Sequence, residues 1–242
     1  MDLLSLALGA VSIYGGLSAL NKGLGHLSKG LGRTDAGGPR SQIVKRRKRN
    51  LTTLRQGPRM NTPNGSMRVT LKSVNNLDDR LEQIITNAEK GKFDPKVIAW
   101  TRAELSKKCR SGWNGEQWCV PEKNTEAEIL AIFKALRRDV RYTSDISGAD
   151  TYMHPRHTLG TGTADCDDFS SLGCAALMSV GIPCRFKVIQ TTRSSTPDHI
   201  FIQAGTPKEG VKRWISLDAS VPMPPGWEAP KNMVAKEWIY EV

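Results

Sequence analysis

Three side chains in this 242-residue chain could together break or make an amide bond: Cys166, His199 and Asp218. A thiolate is a strong nucleophile, an imidazole can take its proton and return it, and a carboxylate can orient the ring and stabilise its charged form. Cys166 lies in Thr163-Ala164-Asp165-Cys166-Asp167-Asp168, just ahead of a helical pattern. A helix N-terminus and a neighbouring imidazolium both lower a thiol's pKa. His199 opens the apolar run Ile200-Phe201-Ile202, and Asp218 closes Trp214-Ile215-Ser216-Leu217. On successive strands the two can be neighbours across a sheet. Asp167 and Asp168 suit a helix start through its dipole. Negative charge beside a thiolate would also raise its pKa, so these carboxylates must point away from the sulfur or serve structure.

A lone cysteine in a helix is ordinarily core, and a lone histidine before a strand is ordinarily a satisfied surface residue. Cys166 differs in preceding its helix's apolar stripe and in its acidic company. The other four cysteines read differently. Cys174 falls mid-helix and Cys184 at a strand start, as small core residues do. Cys109 and Cys119 flank a Gly- and Trp-containing loop and read as plain thiols, with a loop disulfide or half of a zinc site as alternatives. His154 and His157 are separated by Pro155, which argues against a helical metal pair, so they read as loop residues. No metal and no cofactor is expected. A working thiolate favours a reducing site of action.

These groups need elements to hold them. Leu77, Leu81, Ile84 and Ile85 mark one face of a helix. Asp94-Pro95 is an N-cap followed by proline at the first helical position. Thr125 with Glu128 reads as a capping box ahead of Ile129, Ile132, Phe133, Leu136 and Val140. The nucleophile's helix is predicted over 165–180, with Phe169, Leu172, Ala176, Leu177 and Val180 as its buried stripe and Gly181 as its stop. Strands are predicted over 185–191, 199–204 and 212–217, as an antiparallel meander. Helices followed by strands predict an α+β domain with helices against an antiparallel sheet.

Charge divides the chain. The net charge is +11. All of it falls in residues 1–72, which hold 13 Lys and Arg against 2 Asp and Glu, whereas residues 73–242 hold 22 of each sign. The expected organisation is an apolar, Gly-rich segment over 1–34, a basic flexible linker over 35–72 and a folded domain over 73–242. Leu3 to Leu20 carries no charge, and as a helix would span roughly 27 Å, near a bilayer's hydrocarbon thickness. The run Lys45-Arg46-Arg47-Lys48-Arg49 is the expected contact with an anionic membrane or with nucleic acid. If the apolar segment spans a membrane, the basic residues after it place the domain on the cytoplasmic, reducing side.

The stretch from Asp139-Val140-Arg141-Tyr142 through Asp165-Cys166-Asp167-Asp168, Gly181-Ile182-Pro183, His199 and Leu217-Asp218 resembles the transglutaminase-like superfamily of papain-like cysteine enzymes. The likeness runs over residues 125–220. It implies a papain/transglutaminase-like core in which Cys166 is the nucleophile, His199 the general base and acid, and Asp218 the orienting carboxylate. Asp94-Pro95-Lys96-Val97 and Pro224-Pro225-Gly226-Trp227 are similar to segments of the transglutaminase-like proteins encoded in phage and prophage structural regions. Ala164 stands where the family often has Gly, and Ala219 where it often has Pro; both bear on backbone more than on chemistry.

Two classes of function follow. One is a cysteine-dependent amide or acyl hydrolase or transferase acting on a protein or peptide, associated with a virion or an envelope. The other is a structural virion or membrane-anchoring protein that keeps the fold and uses its N-terminal arm to bind membrane, nucleic acid or a capsid partner. A pure nucleic-acid binder fits less well, because the folded part carries no net positive charge.

Overall fold

The computed structural model describes residues 41–44, 53–62, 65–72, 76–109, 118–145 and 150–242. The expectations for the Gly-rich segment over 1–34, Leu3–Leu20 included, and for Lys45–Arg49 lie outside the described residues. No described helix is long and apolar enough to cross a membrane.

Five helices carry most of the core: α1 (Leu77–Gly91), α2 (Pro95–Leu105), α3 (Thr125–Asp139), α4 (Pro155–Thr161) and α5 (Cys166–Ser179). Their starts follow local chemistry. Asn76 caps α1 by accepting from the Asp79 N–H, and Asp94 caps α2 ahead of Pro95. The cap of α3 is Asn124, which accepts from the Ala127 N–H, one residue before the expected Thr125. Either residue can cap, and asparagine slightly outranks threonine. His154 caps α4 and Pro155 takes its first position, so His157 is helical, contrary to the loop reading. Proline opens a helix readily because the N–H it lacks would have no partner there.

The helices lie against a five-stranded sheet in the order β1-β9-β6-β7-β8: β1 (Gln42–Val44), β6 (Cys184–Thr191), β7 (His199–Thr206), β8 (Arg213–Leu217) and β9 (Val234–Glu241). β6, β7 and β8 form the predicted antiparallel meander. Two strands were not predicted. β9 pairs antiparallel with β6, and β1 joins the edge in parallel with β9. The core side of the sheet presents Phe186, Val188, Ile200, Ile202 and Leu217, packed with Leu172, Leu177 and Leu136 of the helices. Two short strands, β4 (Arg141–Tyr142) and β5 (Thr163–Ala164), pair in parallel just ahead of α5.

Within the span 35–72, expected as a basic flexible linker, the described residues form strands. Besides β1 they contain an antiparallel ribbon of β2 (Thr53–Thr62) and β3 (Gly65–Lys72). The overlooked signal is the alternation Met67, Val69, Leu71 against Ser66, Arg68, Thr70, following Asn64-Gly65, a strong hairpin dipeptide.

α5 is the central helix and packs on β7 as well as on α1 to α4. Gly173 allows that approach: a Cβ there would stand 2.8 Å from Ile202 Cδ1 and 3.1 Å from Leu136 Cδ1. Gly181, at φ +76, reverses the chain from α5 toward β6 in the left-handed region that glycine adopts without strain.

Candidate active site

Cys166 is the first residue of α5, so its backbone N–H has no partner within the helix. Asp165 is the cap, accepting from the Asp168 N–H at 3.1 Å. The thiol meets β7 one residue past His199, where the Ile200 backbone N–H bonds to the sulfur. The reason lies in the sheet. Pairing between β7 and β8 runs from Thr206↔Arg213 only as far as Ile202↔Leu217, which leaves Ile200 beyond the end of the ladder. The first turn of α5 takes up that backbone. Ser170 Oγ donates to Cys166 O at 2.7 Å and lies 3.3 Å from Ile200 O, so one buried hydroxyl joins the first turn of α5 to the strand that carries His199.

His199 and Asp218 form a buried pair, with Nε2 2.6 Å from Asp218 Oδ2. The other carboxylate oxygen, Oδ1, accepts from the Ser220 hydroxyl at 2.6 Å and from the Ser220 N–H at 3.2 Å. Burial alone would push the Asp218 carboxyl up. The charge and hydrogen bond of His199 and the two bonds from Ser220 outweigh it and hold the group below the usual carboxylate range. The segment after Asp218 is anchored a second time on the outer face of the sheet. There Glu228 accepts from Lys187 Nζ at 2.7 Å, from Gln203 Nε2 at 3.0 Å and from the Ser216 hydroxyl.

The thiol's surroundings oppose ionisation. Burial pushes the Cys166 thiol well above its ordinary value, the Asp167 and Asp165 carboxylates add to this, and the Ile200 N–H works against it. Asp167 is itself driven well up by burial and by its bond to Asp165. Asp168 serves structure, as one of the acidic residues had to. Its Oδ1 accepts from the Met153 N–H at 2.7 Å, and burial followed by the charge of Asp165 lifts its carboxyl to about 8. Asn87 holds the same segment through Tyr152 O at 3.1 Å and Met153 O at 3.2 Å, so residues 152–153 lie strapped across the start of α5.

Asp165, Asp167 and Asp168 each offer a carboxylate oxygen, all within 4.8 Å of one another, and are the residues here that could hold a cation. His154 spends Nδ1 on the Arg156 N–H. Burial lowers the pKa of both His154 and His157, which favours neutral rings.

The remaining cysteines are paired: Cys109 with Cys119, and Cys174 with Cys184. Cys166 is the free thiol. This corrects the reading of Cys109 and Cys119 as plain thiols, and adds a bond to two cysteines that are indeed core. An isolated bridge between Lys108 and Trp118 closes the first loop and brings its ends together. The reversal at Gly181 lays Cys184 beside α5, with the Cα atoms of Cys174 and Cys184 5.7 Å apart, within the range a disulfide spans.

A thiol at a helix start thus lies close to the strand that carries a buried imidazole–carboxylate pair. Residues 116–219 match the Transglutaminase-like superfamily. The α+β core of helices on a mainly antiparallel sheet is transglutaminase-like, and the match supports a cysteine-dependent hydrolase or transferase kind. Among solved structures, the chain is similar to a protein described as a candidate cysteine protease from Cytophaga hutchinsonii. Identity there is 16%, the TM-score is 0.39, and 86% of this chain and 79% of that one are covered. It is similar to Legionella pneumophila LapG at 17% identity and a TM-score of 0.35, over 56% and 72% of the two chains. It is also similar to a structure described as a TGase at 16% identity and a TM-score of 0.33, over 74% of this chain and 47% of that one. No curated protein matches the chain.

Proposed function

We propose that this protein is a cysteine-dependent amide or acyl hydrolase or transferase acting on a protein or peptide through a thioester, with Cys166, His199 and Asp218 as its triad. The observation that carries the reading is the 2.6 Å His199–Asp218 pair on the strand whose next residue meets the Cys166 sulfur. His199 Nε2 belongs to Asp218, so Nδ1 is the nitrogen that exchanges a proton with the thiol. The sulfur attacks the substrate carbonyl, and the Cys166 N–H at the start of α5 faces the oxyanion that develops. His199 returns the proton to the departing amine as the C–N bond breaks. Water, or a second amine, then attacks the thioester and regenerates the thiol. The imbalance of charge within residues 1–72 supports a tethering role for the arm, at an envelope or within a virion.

The disulfides change the expected surroundings. Cys109–Cys119 and Cys174–Cys184 favour a compartment that forms and keeps such bonds over a reducing one.

One observation favours a second reading, a structural protein that retains the fold: the raised thiol pKa among carboxylates. The test that separates the two needs no substrate. Iodoacetamide should alkylate Cys166 of the native protein faster than a model thiol near neutral pH, and His199→Ala should slow this at least about a hundredfold, the scale of general-base assistance. A rate no greater than the model thiol's, unchanged in His199→Ala, establishes the structural reading. Mass spectrometry of candidate peptides incubated with the wild type and with Cys166→Ala then identifies the reaction.

A further inference from the structure

The ribbon of β2 and β3 has no part in the thiol chemistry. It forms a sheet of its own, separate from the five-stranded sheet. Two strands alone are marginally stable in water, so such a ribbon gains from a partner that covers it.

Its register sorts the residues into two faces. Arg59 stands directly opposite Arg68, Gln56 opposite Thr70, and Thr53 opposite Lys72. Directly opposed residues share a face, and so do alternate residues along a strand. Arg68, Thr70 and Lys72 of β3 therefore lie on one face with Arg59, Gln56 and Thr53 of β2. Asn61, opposite Ser66, extends the same face. The irregularity between Gln56 and Arg59 accommodates Gly57 and Pro58, where a bulge tolerates the missing proline N–H, and the facing is the same on either side of it. The other face takes Met60 opposite Met67 and Arg55 opposite Leu71, together with Val69, so it carries one cation among apolar residues.

The first face consists of cationic, amide and hydroxyl residues. No carboxylate occurs anywhere in residues 45–72, which hold nine Lys and Arg. Two arginines directly opposite each other repel, and a counter-charge on the partner relieves that repulsion. Arginine with guanine, asparagine or glutamine with adenine, and hydroxyls with either are the pairings that read base edges, while cations bind phosphate. A two-stranded ribbon is also one of the two shapes that the major groove of B-DNA admits, and eight residues of β3 extend about 26 Å along it.

We infer that the β2–β3 ribbon is a docking element for duplex nucleic acid, laid in the groove by the face that carries Gln56, Arg59, Asn61, Arg68, Thr70 and Lys72. An anionic lipid surface would instead take the opposite face, with Met60, Met67 and Val69 toward the membrane. The inference is independent of the triad.

The full chain should be titrated against a fluorescein-labelled DNA duplex of about 25 base pairs by fluorescence anisotropy at several salt concentrations, and against vesicles containing phosphatidylserine by flotation. Duplex binding should weaken linearly in log–log form with salt. Arg59→Ala/Arg68→Ala should lose at least about tenfold in affinity at low salt and reduce the salt slope by about two, the loss expected for two phosphate contacts. Arg59→Lys/Arg68→Lys, which keeps the charge, should retain the wild-type slope. Iodoacetamide alkylation of Cys166 should be the same in all three proteins, which shows the domain intact. Wild-type affinity and slope in the double-alanine variant would overturn the inference, since binding would then rest on residues outside the ribbon. Flotation with anionic vesicles in the absence of duplex binding at low salt would overturn it in favour of a membrane.

Discussion

His199 Nε2 and Asp218 Oδ2 are 2.6 Å apart in a setting where both residues are buried, and Asp218 keeps its charge there because His199, and after it the two bonds from Ser220 to the second oxygen, outweigh burial. The imidazole is thereby fixed at its far nitrogen, and the strand that carries it delivers the Ile200 N–H to the Cys166 sulfur. An orienting carboxylate acts through its geometry and its charge. Ser220 therefore bears on the orientation of His199 through Asp218.

Ser220→Ala should lower Cys166 reactivity without unfolding the protein. The side-chain hydrogen bond to a charged group is worth about 1.5–3 kcal/mol. Losing it raises the Asp218 pKa. In the wild type that group's folded pKa is depressed, so its stabilising contribution is present above the unfolded value and is lost as pH falls through the folded one. In Ser220→Ala that contribution should be smaller and its loss should be complete at a higher pH, and the acid limb of the alkylation rate should move up with the folded pKa. Ser220→Thr should restore both. An acid limb that does not move in Ser220→Ala would reduce Ser220 to local packing.

Asp168→Asn should be no less stable than the wild type near pH 5 and more stable at pH 9. The wild-type carboxyl is raised to about 8 by burial and by Asp165, so its contribution is intact below the unfolded carboxylate pKa and is lost as pH rises through the folded value. The amide oxygen of asparagine still accepts from the Met153 N–H, so only the charge is removed. A gain of about 1 kcal/mol, or 2–4 °C in Tm for a chain of this size, is expected in thermal melts at the higher pH. Equal melting temperatures at both pH values would show that Asp168 bears no charge penalty.

Thiol titration of the denatured, unreduced protein, produced by export or by oxidative refolding, should count one free thiol, and reduction should raise the count to five. The Cys174–Cys184 bond ties the nucleophile's helix to β6. Its removal in Cys174→Ala/Cys184→Ala should cost about 2–4 kcal/mol in denaturant unfolding. Five thiols before reduction would return the domain to a reducing compartment.

Gly173→Ala tests the contact between α5 and β7. The new Cβ would meet Ile202 Cδ1 at 2.8 Å, so helix and strand must separate or Ile202 must change rotamer. A loss of about 1–3 kcal/mol is expected, as for other overpacked cores. Slower alkylation of Cys166 should accompany it, because the same approach seats the thiol on Ile200. Wild-type stability and reactivity would show that the interface yields freely.

Four of the five helices, the meander and the α+β arrangement were legible in the chain because each depends on short-range rules, whereas α4 read as a loop. The stripe from Phe169 to Leu177, the Asp94-Pro95 start and the stop at Gly181 need only local periodicity and caps. The candidate triad was legible as three residue types placed at the ends of elements. Its geometry was not. That Asp218 takes Nε2, that Ser220 steadies Asp218, and that the sulfur meets Ile200 all depend on where the β7–β8 ladder stops. Ladder length is a long-range outcome, set by which strands find each other. β9 and β1 escaped notice for the same reason, since each is defined by the strand it pairs with. The cysteine pairs escaped because a ten-residue spacing says nothing of whether two Cα atoms come within about 6 Å. Composition alone made 35–72 a linker, whereas cross-strand register made part of it a ribbon with a cationic face. Sequence by itself determined which residues could do the chemistry; the tertiary structure decided which atoms they turn toward one another, because hydrogen-bond direction and burial exist only once distant segments have met.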